Sequence, residues 1–392
     1  MNTNKIITIL KQNKIDAWLI YQNQGTYEVG QNPIATDVCE LKELVTRPWF
    51  CLIQANSKHP IWIYQSMEKD KFENLKGRKL VYGSRDSLIN ILKLSLPKNG
   101  TIALEITKNA NIPLLSRVDQ GTYELIRKCT NAKLVSSQDL VGQYLSDWGA
   151  QGLASHKSAI LKLKKILRGV EIIVKNKLGI ITDYELQMII ESLYAKYRLI
   201  TLYHPVVASG KNSGNPHYFP NKEKPVVIKR NELVMIDIWG KEKTKKSVFA
   251  DMTTMYYTGP NVPKEVLSAW NLLICSRNSA LKYIQKNIKY KIITGAEADN
   301  VSRRVLEKAG YGKYFVHRTG HNIASELHGY GPNLDSYETL DTRELMLNTG
   351  YSIEPGIYTL KFGLRSEINI YISKNKKVFL TTPAPTEIQR II

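Results

Sequence analysis

Two runs in the middle of the chain each carry one aspartate where an aspartate is expensive to place: Val234-Met-Ile-Asp-Ile-Trp239 and Phe249-Ala-Asp-Met-Thr-Thr-Met-Tyr-Tyr257. Both read as strands. In the first, Val234, Ile236 and Ile238 alternate with Met235, Asp237 and Trp239, so the period of two sets Asp237 opposite an apolar face. Asp251 repeats the arrangement in the second. The polar connection Gly240 to Ser247 predicts a hairpin tip between antiparallel strands, with Lys241, Lys243, Lys245 and Lys246 in solvent. Further on, His321 follows Gly320, His328 lies in Glu326-Leu-His-Gly-Tyr330, and Glu354 precedes a Pro-Gly pair that should end a strand sharply. Glu367 stands with Arg365 and Asn369 on one side of an apolar strand, Gly363 to Ile372, whose other side is Leu364, Ile368, Ile370 and Ile372.

Any one of these acids alone reads as a turn cap or a partner for a lysine. Together they pose a charge problem, because an unpaired buried carboxylate costs several kcal/mol. Two divalent cations would balance four carboxylates. Oxygen-rich ligation with one imidazole suits manganese, cobalt or iron better than a thiolate-type zinc site. Two such ions about 3.5 to 4 Å apart would activate a shared water as nucleophile.

The elements that position this set belong to a two-domain chain. A length of 392 residues exceeds one ordinary domain, and 43% hydrophobic with 23% charged residues is a globular balance. Residues 1–149 alternate short β-rich runs with helical ones and predict a small α/β domain. The only histidine among them, His59, is expected in a surface loop. A turn-rich stretch, Ser146 to Gly152, marks the boundary, and residues 150–392 form the second domain. That domain carries a faint duplication. Thr182-Asp-Tyr-Glu185 and Thr294-Gly-Ala-Glu297 are both capping boxes opening helices, and each helix is followed by a tyrosine-rich strand and a histidine-bearing loop. The fold class expected is α+β, two related halves facing a cleft.

Charge, cysteines and hydropathy exclude other classes. No run approaches the length of a membrane span, and no secretory signal is present, so a cytoplasmic protein without membrane contact is expected. Four scattered cysteines suggest neither a zinc knuckle nor a disulfide framework. The net charge of +20 is spread without a basic block, which disfavours nucleic acid as partner.

Asp237, Asp251, His321, Glu354 and Glu367, in this order and context, resemble the five metal ligands of the pita-bread metallopeptidases, which include methionine aminopeptidase, aminopeptidase P, prolidase and the metal-free creatinase. Pro205-Val-Val-Ala-Ser-Gly210, Pro216-His217, Thr319-Gly-His321, Glu354-Pro-Gly-Ile-Tyr358 and Gly363-Leu-Arg365 resemble the Xaa-Pro peptidase branch. The resemblance implies a pita-bread carboxyl-terminal domain, with duplicated α/β halves around a curved antiparallel sheet, behind a creatinase-type α/β amino-terminal domain. It implies two divalent metals, manganese first, with cobalt, zinc or iron as alternatives. Asp237 would bind one, His321 and Glu354 the other, while Asp251 and Glu367 bridge them. His217 and His328 match the family's two non-ligand histidines, which line the substrate pocket and relay protons or steady the tetrahedral intermediate, and Glu354 matches a general base. Arg365 matches an arginine that holds a ligand carboxylate or contacts substrate. The implied reaction is attack by a metal-bridging hydroxide on the bond before proline, at the amino terminus of peptides or in Xaa-Pro dipeptides, by a homodimer. Hydrolysis of another small amide or C–N bond, and a catalytically silent binding module, are the alternatives. The chain departs from the family in its long lysine-rich tip, in Asn322-Ile323-Ala324 where glycines are usual, and in Ile368 where an acid is common. His204 and His317 match no ligand position and are expected in supporting roles. His156 is expected to face solvent on the linking helix.

Overall fold

The structure is a computed structural model that describes residues 1–23, 32–41, 43–244 and 246–391. Lys245 of the expected hairpin tip lies outside the described residues. The chain divides into two compact units, Met1–Leu145 and Ser146–Ile392.

The first unit is a six-stranded mixed sheet in the order β4-β3-β2-β1-β5-β6. Its strands are β1 (Ala17–Gln22), β2 (Trp49–Gln54), β3 (Ile61–Gln65), β4 (Arg78–Tyr82), β5 (Thr101–Leu104) and β6 (Lys133–Ser136). The helices are α1 (Thr3–Gln12), α2 (Pro33–Cys39), α3 (Lys69–Glu73), α4 (Arg85–Ser95), α5 (Gln120–Cys129) and α6 (Gln138–Leu145). The polar pattern of β6 hides it from sequence reading. Every residue of β1 is buried, as expected for a central strand covered on both faces.

One buried charge stands out in this unit. Glu105, fully buried, accepts from Trp18 Nε1 at 2.6 Å, Ser137 Oγ at 3.1 Å and Asn32 Nδ2 at 3.5 Å. Burial outweighs these bonds and pushes its carboxyl from 4.5 to about 7. The folded state therefore holds a proton that the unfolded chain has lost. The stability this contributes is complete below 4.5 and disappears as pH rises through 7, a loss of roughly 3 kcal/mol. Urea unfolding at pH 5 and pH 8 should show it, and Glu105→Gln should narrow the difference between the two by that amount.

The second unit repeats one motif, a helix pair on a sheet. The helices α7 (Gly149–Lys177) and α8 (Asp183–Tyr197) back the first sheet, in which β7 (Leu199–Ile200), β9 (Leu233–Glu242), β10 (Ala250–Tyr257) and β17 (Gln389–Arg390) lie side by side and β8 (Val206–Ser209) also pairs β9. The helices α9 (Lys264–Asn287) and α10 (Gly295–Lys308) precede the second sheet, in the order β11 (Asn322–Ile323), β12 (Thr349–Ile353), β15 (Ile368–Ile372), β16 (Val378–Leu380). A hairpin of β13 (Gly356–Tyr358) and β14 (Gly363–Arg365) completes the unit. Both capping boxes form: the Thr182 and Thr294 hydroxyls accept from Glu185 N and Glu297 N, and the two glutamates accept in return. This is the pita-bread arrangement of two related halves.

The alternation expected in β9 is present. Val234, Ile236 and Ile238 share a core with Ile160, Leu163 and Ile190 of the helix pair, while Met235 and Trp239 face the other core. Five expectations change. Lys241 is half-buried instead of standing in solvent, because its Nζ donates to Ser325 O and lies 4.9 Å from the centroid of the Phe249 ring. His156 does not face solvent: it is fully buried, with Nδ1 2.6 Å from Phe249 O and Nε2 2.8 Å from Thr381 Oγ1, so it ties α7 to the start of β10. Burial holds this imidazole down near 4, hence neutral. The segment after α10 is not a tyrosine-rich strand, because Gly312–Tyr314 is a 3-10 turn. Tyr203 and His204 likewise sit outside the strands. Finally, Gly363 to Ile372 is not one strand. It breaks at Ser366-Glu367, and the break sends Leu364 into one core and Ile368, Ile370 and Ile372 into another. Among the described residues no helix is long and apolar enough to cross a membrane.

Candidate metal centre

The antiparallel register of β9 and β10 sets Thr253 opposite Asp237 and Asp251 opposite Trp239. Asp251 and Thr253 are two residues apart, so both point to the Asp237 side of the sheet. Glu367, at the strand break, reaches across to this pair. Its Oε2 accepts from Thr253 N at 2.7 Å and Thr253 Oγ1 at 2.9 Å, and Oε1 accepts from Asn369 Nδ2 at 3.2 Å. Asn369 Oδ1 in turn accepts from Asp251 N at 3.1 Å. Side chains thus close the seam between the two half-sheets where a backbone ladder would otherwise run. The carboxylate oxygens of Asp237, Asp251 and Glu367 lie within 4.8 Å of one another, all buried.

The second half-sheet supplies the remaining two residues. His321 Nε2 is 3.3 Å from both Asp251 Oδ2 and Glu354 Oε1. Its Nδ1 is 3.1 Å from Asn322 O, which fixes the proton on Nδ1 and aims Nε2 into the cluster. Ser352 links the pair, accepting from His321 N at 2.9 Å and donating to Glu354 Oε1 at 2.8 Å. Gly320 is required here, because a Cβ on it would lie 2.1 Å from Ser352 O. The loop is held from behind by Asp299 of α10, fully buried, which accepts from Thr319 N at 3.0 Å, Ser336 N at 2.8 Å and the Thr319 hydroxyl. Arg303, one turn on, donates to Phe315 O at 2.8 Å and His317 O at 2.7 Å.

The residues singled out around these five fall in different places. Arg365 is buried in the cluster, with Nη2 3.2 Å from Asp237 Oδ2 and Nη1 3.6 Å from Glu354 Oε2. His328 packs edge-on against His321 with ring centroids 4.4 Å apart. Part of His328 reaches solvent, yet desolvation of the ring against His321, aided by the charges of His321 and Arg318, lowers its imidazole and favours the neutral form. His217 is exposed, its backbone N–H donating to Asn215 Oδ1 at 3.0 Å, and it lies within electrostatic reach of His328. His317 donates from Nδ1 to Arg318 O and accepts at Nε2 from Tyr358 OH at 2.9 Å, while His204 is an exposed partner of Glu191. Sequence reading missed Thr253, Ser352 and Asp299. Only Thr253 gave a signal, its place two residues after Asp251.

Electrostatics say what this cluster lacks. Four buried carboxylates face two cationic groups, Arg365 and His321. Burial, with Asp251, Glu354 and Asp237 nearby, drives the Glu367 carboxyl well above its ordinary range. Burial likewise takes Asp251 to about 7, although His321 works against it. Burial also raises Asp237, against the pull of Arg365. Glu354 alone is held low, because His321 and Arg365 overcome its burial. His321 is itself desolvated, yet hydrogen bonding to Asp251 and Glu354 lifts it to about 9. The Asp251 Oδ1 atom is buried with no partner. An orphaned carboxylate oxygen beside mutually repelling acids fits divalent cations, which supply the missing positive charge. The donor set, oxygen-rich with one imidazole and no thiolate, fits hard or borderline ions.

The model of metallopeptidase family M24 matches residues 154–374, more than half of the sequence and all five of these residues. The chain belongs to metallopeptidase family M24. Among the relatives of this M24 metallopeptidase, a Mycoplasma pneumoniae protein assigned as an Xaa-Pro aminopeptidase is 31% identical over 239 residues, 60% of this chain and 63% of that one. An Xaa-Pro dipeptidase of Pyrococcus horikoshii is 26% identical over 385 residues, 96% of this chain and 95% of that one. The X-Pro aminopeptidase structure from Thermotoga maritima superposes with a TM-score of 0.65 at 23% identity, covering 100% and 99% of the two chains. Both units of this M24 metallopeptidase therefore follow the two-domain pita-bread fold. As a metallopeptidase it is a hydrolase dependent on divalent metal.

Proposed function

We propose that this enzyme hydrolyses the peptide bond before proline, in Xaa-Pro dipeptides or at the amino terminus of longer peptides, with two metal ions held by Asp237, Asp251, His321, Glu354 and Glu367. The observation that carries this reading is the convergence of those five side chains around the unpartnered Asp251 oxygen, in a chain whose relatives are named for Xaa-Pro cleavage. Asp237 would hold one ion and His321 with Glu354 the other, with Asp251 and Glu367 shared between them. When bound, the ions would supply a nucleophile from water at neutral pH and polarise the scissile carbonyl.

The chain's own residues do the rest. Arg365 bridges Asp237 and Glu354 and so fixes the two walls of the cage against each other. Glu354, kept ionised by His321 and Arg365, accepts a proton at its carboxylate during attack and returns it to the leaving nitrogen. His328, neutral and packed on His321, donates to the oxygen of the tetrahedral intermediate from the solvent side, with His217 at the mouth beside it. Manganese is the assigned ion, on the hardness of the donors. A cytosolic homodimer completes the reading, in keeping with the buried free thiols Cys39, Cys51 and Cys129.

The test is release of free proline or the first residue from Xaa-Pro dipeptides and Xaa-Pro-Xaa peptides, by metal-stripped protein to which manganese, cobalt or zinc is added back. Activity is expected only after addition, and only with proline second. Full turnover in the stripped protein would sink the proposal. His328→Ala is expected to lower kcat by about 100-fold while leaving metal content unchanged.

A further inference from the structure

A cavity of about 260 Å³ opens beside β10, between α7 and the C-terminal segment that carries β17. Of the five assigned ligands only Glu367 reaches its wall. On one side stand Lys164, Arg168 and Glu171, at helix spacings of four and three that put them on one face of α7, spread over about 10 Å along the axis. Glu387 of the C-terminal segment joins them. None of these four charges has an ion pair or hydrogen bond within the described residues.

The floor of the cavity is a gap in the sheet. The N–H groups of Asp251 and Thr253 point away from β9 and are taken by the side chains of Asn369 and Glu367. Met255, two residues on, shares that edge. β17 covers the edge only at Tyr256 and Tyr257. From Thr253 to Met255 no strand pairs the edge facing away from β9, and these residues line the cavity.

We propose that this cavity is a second binding site, separate from the metal centre, for a small peptide-like zwitterion. The ligand's carboxylate sits against Lys164 and Arg168, its ammonium against Glu171 and Glu387, and its amide along the open edge of β10. Charge selects this class. A simple anion would meet the two glutamates and a simple cation the lysine and arginine, whereas a ligand carrying both signs satisfies all four. Size points the same way, because the volume falls just under the 300 to 1,000 Å³ typical of drug-sized ligands and so suits a dipeptide or smaller. Thr253 and Glu367 belong to both this wall and the metal cluster.

Calorimetric titration of the metal-loaded enzyme with glycylglycine, acetate and methylammonium tests the site. Glycylglycine is expected to show a saturable component that weakens at least about tenfold in Arg168→Glu and in Glu387→Lys and persists in His217→Ala. Both substituted positions are exposed, and circular dichroism checks the fold. Neither single-charge ion is expected to show that component. Absence of an Arg168-dependent component, or an equal one with acetate, would overturn the proposal. Binding is the readout, so the result stands apart from whether Xaa-Pro bonds are cut.

Discussion

Asp251→Ala is expected to yield a folded protein that retains neither metal nor turnover, with activity down by well over the roughly 10- to 100-fold typical of losing a group that merely supports a ligand. Asp251 is the residue that both halves of the site share. It stands on β10 beside Asp237, faces His321 at 3.3 Å, and keeps an oxygen with no protein partner. Glu367→Ala should behave in the same way. Stability in the absence of metal should move the other way. Without metal, Asp251→Ala removes a buried carboxylate that repels its neighbours and should be more stable than metal-free wild type, by about 1 to 3 kcal/mol, whereas Glu367→Ala also strands the buried donors of Thr253 and Asn369 and should show no such gain. Elemental analysis paired with thermal melts in chelator and in manganese separates the two effects. Wild type should gain stability on metal addition, and the variants should not.

The next largest effect is expected from a residue that touches no metal. Asp299→Ala should destabilise the second unit by about 3 to 5 kcal/mol, because it leaves Arg303 buried without its carboxylate and frees Thr319 and Ser336. Thr319 is two residues from His321, so the imidazole loses its fixed approach to Asp251 and Glu354. Metal affinity should fall by about 10- to 100-fold in molecules that remain folded. Asp299→Asn keeps an acceptor for Thr319 and should recover part of the affinity while remaining less stable than wild type. Urea unfolding and competition with a chelator of known affinity measure the two consequences independently.

Much of this was legible in the sequence, and the reasons differ from element to element. Alternation along Val234 to Trp239 exposed Asp237 because a strand's side chains must alternate, and the two capping boxes announced α8 and α10 because their hydrogen bonds are local. The five residues of the cluster could be gathered only by their order and context, since they meet through contacts far apart along the chain. Where several outcomes share one local pattern, the sequence was silent or misleading. The apolar periodicity of Gly363 to Ile372 suits one strand, yet Glu367 reaches Thr253 only because the strand breaks there. His156 lies on a helix with no local signal of its burial, which comes from the packing of Trp148 at 4.5 Å, the carbonyl of Phe249 and the hydroxyl of Thr381. Asp299 reads as an ordinary helix acid, and its bonds to Thr319 and Ser336 span too many residues for any local signal.

Crystals of the enzyme grown with manganese, with diffraction recorded at the manganese absorption edge, would show whether these five side chains hold two ions. Two anomalous peaks per chain are expected, both within coordinating distance of Asp251 and Glu367, one also next to Asp237 and the other next to His321 and Glu354. No peak at these residues, or manganese bound elsewhere with the five side chains paired only to one another and to Arg365, would rule out a two-metal site here.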